Sequence, residues 1–247
     1  MNILLYVALF LIGVIVGNFW QRAIYRIPRN ISLTRKGVKY LDSENNSEFS
    51  KKLLQLFYML LGGGLFVIFG TFFKLDINNL KIVSIMMYIF TVLYLTTLVI
   101  IAGIDQKYIN IEKKVITIGI IISIMYSVYL YTIDSSSIYF NTVCLAIYMI
   151  LLIIDTIFLR KYAQNSYTIG TLMLFNIMLI FSKINIFAYT IVMTAVEILM
   201  YLLISKINQK KNGNKKIKID KIPVGYFASA SNIIVLLALE IMQIIRS

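Results

Sequence analysis

The sequence predicts an all-α fold: a polytopic integral membrane bundle of about eight transmembrane helices with both termini facing outward. Three observations predict it. The 247 residues are 60% hydrophobic and 14% charged, against roughly half and a quarter in soluble globular chains. Apolar runs of about the length that crosses a hydrocarbon core recur along the whole chain. The basic residues cluster in alternate connections, as they do where short Lys/Arg-rich loops stay in the cytoplasm.

The apolar runs cover residues 2–19, 53–73, 80–104, 115–132, 137–159, 167–182, 184–205 and 222–245, the sixth being the shortest. The first follows Met1 with no basic residue before it and no small-residue cleavage site after it, so a retained helix is expected rather than a removable signal peptide. Of the 24 Lys and Arg, eight lie in 20–52, three after the third run (Lys107, Lys113, Lys114), two after the fifth (Arg160, Lys161) and seven in 206–221. The opposite side has only Lys74, Lys81, Lys183 and Arg246. One membrane domain is therefore expected over 1–247, with a reduced cytoplasmic loop at 20–52 and a basic, solvated one at 206–221. Such loops fit anionic lipid headgroups. The lipid bilayer is an expected partner and nucleic acid is not.

The chain contains one cysteine, Cys144, and no histidine. This excludes an intrachain disulfide, a thiolate or imidazole metal centre, and Ser-His chemistry. Neither a metal nor a cofactor is expected. No internal repeat of the kind that builds many transporters is visible. Ionisable residues inside spans default to functional hypotheses, and three stand out: Asp155, Glu197 and Glu240. Glu240 lies near an outer helix end within reach of headgroups. Glu197 lies mid-span between Val196 and Ile198. For Asp155, one turn from the end of its span, snorkelling toward Arg160 and Lys161 is a sufficient alternative to a functional role.

The end of the first span reads Gly13-Val-Ile-Val-Gly17-Asn18-Phe19, followed by Trp20 and by Tyr25-Arg26-Ile27-Pro28. Physically, Gly13 and Gly17 form a small-xxx-small face for close helix packing, Phe19 and Trp20 are expected at the membrane interface, and Pro28 stops the helix. Asp105 follows Ala102-Gly103-Ile104 at the cytoplasmic end of the third span, and Ile222-Pro223-Val224-Gly225-Tyr226-Phe227 opens the last. Taken together, these segments resemble the prepilin (type IV pilin-like) leader peptidases, a family of polytopic aspartic endopeptidases. Both prolines of the chain fall on positions of that pattern.

The resemblance implies that Asp105 is the first catalytic aspartate and that Gly13, Gly17, Phe19, Tyr25, Arg26, Pro28, Pro223 and Gly225 are motif positions. It also implies that the substrates are type IV prepilin or pseudopilin precursors, cleaved at the cytoplasmic face of a bacterial cell membrane. Independently, aspartic proteolysis needs two carboxyls sharing a proton around a water, and a membrane-edge carboxylate suits that task. A boundary aspartate paired with Lys107 is the alternative for Asp105.

Three departures bear on activity. Glu112 stands where the family usually has proline. The family's second aspartate belongs to a Gly-x-Gly-Asp segment, and the corresponding stretch here is Tyr162-Ala-Gln164-Asn165-Ser166-Tyr167-Thr168-Ile-Gly170, without a carboxylate. Indeed no Asp or Glu occurs between Thr156 and Val196. Either the dyad has lost a member and the protein does not cleave peptides, or Asp155 from the neighbouring span substitutes. Lastly, residues 20–52 lack the paired cysteines that many members carry in connection with methylation, so the sequence gives methyltransferase activity no support. The expected function is prepilin leader cleavage, the alternative a non-catalytic member that binds prepilins or pilus-assembly proteins.

Overall fold

A computed structural model describes residues 3–33, 48–76, 81–133, 150, 166–182, 184–212 and 222–246. These residues form seven helices and no strand: α1 (Ile3–Arg26), α2 (Glu48–Phe72), α3 (Ile82–Tyr108), α4 (Lys113–Ile133), α5 (Ser166–Phe181), α6 (Ile184–Asn212) and α7 (Val224–Arg246). Five of them (α1, α2, α3, α4 and α6) carry stretches long and apolar enough to cross a bilayer, whereas the apolar stretches of α5 and α7 are shorter. The chain is thus a multi-pass helical membrane protein. The expected span at 137–159 lies outside the described residues but for Ile150, as do Cys144, Asp155, Arg160, Lys161 and Asn165.

Several helices run past the apolar limits read from the sequence. α1 continues beyond Phe19 to Arg26, α2 begins at Glu48 rather than 53, and α6 continues to Asn212, so the first part of the expected 206–221 loop is helical. Hydropathy marks where a chain meets hydrocarbon. The backbone helix ends only where its last carbonyls find other donors. At α1 that closure is a Schellman turn: Ile31 N–H donates to Arg26 O at 3.0 Å and Asn30 N–H to Ile27 O at 3.1 Å, with Asn30 left-handed at φ 53°. Pro28 sits inside this turn, and asparagine is the residue after glycine that tolerates its geometry best. α2 ends the same way, through Leu75 N–H to Gly70 O (3.1 Å), Lys74 N–H to Thr71 O (3.0 Å) and Lys74 at φ 49°.

The chain folds as two compact units, 1–96 and 97–247. In the first, α1 and α2 pack antiparallel at backbone contact. A Cβ on Gly13 would meet the Gly62 carbonyl and the Gly63 Cα (2.8 Å), and one on Gly17 would meet the Tyr58 carbonyl and the Met59 Cα (2.9 Å). Small residues permit such an approach, which in lipid replaces the missing hydrophobic drive with van der Waals contact. Gln55 Nε2 donates to Asn18 Oδ1 at 3.2 Å along the same interface. Tyr88 of α3 donates its hydroxyl to Phe66 O at 3.2 Å and packs edge-on against the Phe66 ring. Phe19 stays 41% exposed, but Trp20 is wholly buried and is not the interface anchor expected of it. An anchoring indole keeps its N–H at the headgroup level, which an enclosed side chain cannot do.

In the second unit, α4 packs on α5, with Tyr126 and Phe181 stacked at 4.3 Å, and α6 packs on α7. The α6–α7 seam is polar at its core. Asn232 Nδ2 donates to Thr190 Oγ1 at 2.9 Å, and the hydroxyls of Thr190 and Thr194 donate to carbonyls one turn back, Ile186 O and Thr190 O. All three side chains are buried. Thr190, Thr194 and Asn232 each donate inside the protein, so these three polar side chains enter the apolar layer without being exposed to lipid.

Candidate functional site

The site grows from the end of α3. Asp105 stands in the last turn of that helix beside buried Ile104 and is itself fully enclosed. α3 closes just after it: Ile109 N–H returns to Asp105 O at 2.8 Å, with Ile109 in the left-handed region at φ 50°. This reversal turns the chain into Asn110–Glu112, and Glu112 then starts α4, its carbonyl accepting from Ile116 N–H at 3.1 Å. Asn110 Nδ2 donates to the Glu112 carboxylate at 2.7 Å, fixing the short connection.

The start of α7 comes to the same place. Pro223 precedes the first helical residue, and its carbonyl accepts the first helical bond from Phe227 N–H at 3.3 Å. Proline thus occupies the capping position, yet it has no side-chain acceptor for the donors that open a helix. Asp105 supplies one: the Tyr226 N–H donates to its Oδ2 at 2.9 Å, across 121 positions of sequence. A carboxylate at a helix N-terminus is favoured both by this charge-assisted bond and by the helix dipole.

Gly225 makes room for that carboxylate. A Cβ there would lie 3.0 Å from Asp105 Oδ2 and 2.9 Å from Ile111 Cδ1. Ile111, 5% exposed, also presses on Gly170 of α5, where an added Cβ would lie 2.9 Å from its own Cβ. Two glycines from two helices therefore close over the side chains of the α3–α4 turn. Ile111 and Gly170 were not among the sequence candidates. A branched apolar residue in a polar connection was the available signal.

Of the residues singled out from sequence, Asp105, Pro223 and Gly225 meet here. Lys107, the alternative partner for Asp105, has its ammonium 5.4 Å from the centroid of the Tyr108 ring. Gly13, Gly17, Phe19, Tyr25, Arg26 and Pro28 belong to the first unit. Arg26 is 2% exposed, and its guanidinium donates to Ser32 O at 3.0 Å and Leu33 O at 2.5 Å, holding the chain that leaves α1. Arg29 stacks over the Tyr25 ring at 4.1 Å. Asp155 lies outside the described residues. Among the described residues no group of three or more Cys, Asp or Glu side chains is arranged to hold a metal ion.

Chemically, the arrangement is a buried carboxylate that joins one helix end to another helix start. No family model, no curated protein and no solved structure matches this chain. Fold and site together define a class: a multi-pass helical membrane protein with a buried aspartate in its second unit, bonded to the start of α7.

Proposed function

We propose that this is a prepilin leader peptidase-like protein of a bacterial cytoplasmic membrane, with eight spans, outward termini and a basic cytoplasmic face. Its substrates are type IV prepilin or pseudopilin precursors, held with their apolar helix in the bilayer and their basic leader at the cytoplasmic surface. The observation that carries the reading is the convergence of Asp105 with Pro223–Tyr226, because two of the segments on which the resemblance rests are distant in sequence and adjacent in space. In the catalytic form of the proposal, Asp105 and Asp155 polarise a water for attack on the peptide bond, one carboxyl neutral and one ionised.

A second reading, a non-catalytic member that binds prepilins or pilus-assembly proteins, is favoured by two specific observations. The Gly-x-Gly-Asp carboxylate is absent from the sequence. Asp105 is fully enclosed with one oxygen engaged at the α7 N-terminus, an arrangement suited to holding helices together.

Cleavage of a prepilin from the same organism, in liposomes, separates the two. Wild type should release the leader, and Asp105→Asn and Asp155→Asn should each abolish release if they act as a dyad. Lack of cleavage by wild type, beside an intact family member that cleaves, selects the binding role.

A further inference from the structure

Glu197 is an ionisable residue inside an apolar run that neither proposed role uses. It lies about 20 Å along α6 from Ile184 and about 15 Å from Ile207, at ~1.5 Å rise per residue, and so near mid-depth of a span. The residue is half-buried at the edge of the α6–α7 seam. Behind it stands Ser231 of α7, fully enclosed and within electrostatic reach of its carboxyl. One turn away on either side, Met193 and Met200 are exposed, as is Ile204 further along. The acid thus opens toward the exposed side of α6.

A carboxylate at this depth calls for a compensating cation. The apolar runs do not supply one at that depth: apart from Lys81 at the outer edge of the third, none of the eight contains a Lys or Arg. The span at 137–159 contains none either, so it cannot neutralise Glu197 by packing against it. A second copy of the chain lacks the same cation for the same reason. Thioether side chains around the acid adapt to varied surfaces, which suits contact with a helix not built into the fold.

We infer that the exposed edge of α6 around Glu197 is a docking surface for a transmembrane helix of another protein carrying a lysine or arginine at mid-depth. Charge complementarity selects the occupant, and Met193 and Met200 close around the incoming stem. The inference does not depend on peptidase activity, and its test reads association, not cleavage.

The full-length protein, fluorescently tagged, is reconstituted in liposomes with synthetic single-span leucine-alanine peptides bearing one central lysine, leucine or glutamate, and energy transfer is measured. The lysine peptide should associate about tenfold more tightly than the leucine peptide. Glu197→Gln, nearly isosteric, should remove that preference, and Glu197→Lys should transfer it to the glutamate peptide. Equal association of the lysine and leucine peptides with wild type overturns the inference, and so does a lysine preference that survives Glu197→Gln. Self-association of the protein that is lost in Glu197→Gln assigns the surface to a second copy and also overturns it.

Discussion

The bond from the Tyr226 N–H to Asp105 is one whose loss can be graded by side chain. Asparagine in its place still offers an oxygen to the Tyr226 N–H but gives up the charge, whereas alanine leaves a buried donor without its acceptor. Bonds to charged groups contribute about 1.5–3 kcal/mol and neutral ones about 1 kcal/mol. Asp105→Ala should therefore lower stability by about 2 kcal/mol and Asp105→Asn by about half that, read as unfolding midpoints in detergent. Equal midpoints for all three proteins would show that the cap contributes nothing. Ile109 provides the opposite case. A β-branched residue held at φ 50° carries a penalty of about 1–2 kcal/mol that glycine does not. Ile109→Gly should raise the midpoint, by less than the full penalty because glycine also loosens the unfolded chain. A fall would mean that the Ile109 side chain makes packing contacts worth more than the strain.

At the level of the helix pair α1–α2, the glycines are not equivalent, and the difference is testable. Added methyls at Gly13 and Gly17 meet backbone of the facing helix, which moves only if the helices part. At Gly64 an added methyl meets nothing within 4 Å. Gly13→Ala and Gly17→Ala should each cost about 1–3 kcal/mol as overpacking. Gly64→Ala should be neutral or stabilise by about 0.5–1 kcal/mol, since glycine weakens a helix interior by that amount. A uniform response at the three positions would contradict the close crossing. The spacing of Gly13 and Gly17 was legible as a packing face because small residues four apart share one side of a helix. The partner was not singled out: Gly62 and Gly63 face Gly13, but opposite Gly17 Tyr58 and Met59 contribute backbone, and sequence patterns describe side chains. The enclosure of Trp20 was invisible for a related reason: a tryptophan after an apolar run looks the same whether it meets headgroups or protein.

For the molecule as a whole, the helical membrane character was legible because apolar length and sparse charge are physical requirements of the bilayer, not matters of packing. The helix ends were not, since Arg26 and Asn212 lie beyond the apolar runs in residues that are helical but polar. The site was legible in parts. Asp105 and Gly225 stood out as single residues, but the bond joining them to one locus spans 121 positions, and nothing in local pattern encodes such a meeting.

The number of crossings rests in part on α5. Its 16 residues reach only about 24 Å at ~1.5 Å per residue, short of a hydrocarbon core of about 30 Å, so crossing requires local thinning of the bilayer. Parity decides the matter. Between Asn78 and Gly213 the eight-span reading places five crossings (the third to the seventh runs), and an odd number puts the two positions on opposite sides. Replacing Cys144 by serine removes the only cysteine, after which Asn78→Cys and Gly213→Cys are introduced singly. A membrane-impermeant maleimide added to intact cells should label Asn78→Cys at once and Gly213→Cys only after permeabilisation. Labelling of both from the same side would make the number of crossings even, so that not all five runs cross, α5 being the shortest of them. The reverse pattern would invert the protein and remove the basic face from the cytoplasm, because seven of the Lys and Arg lie in 206–221 beside Gly213.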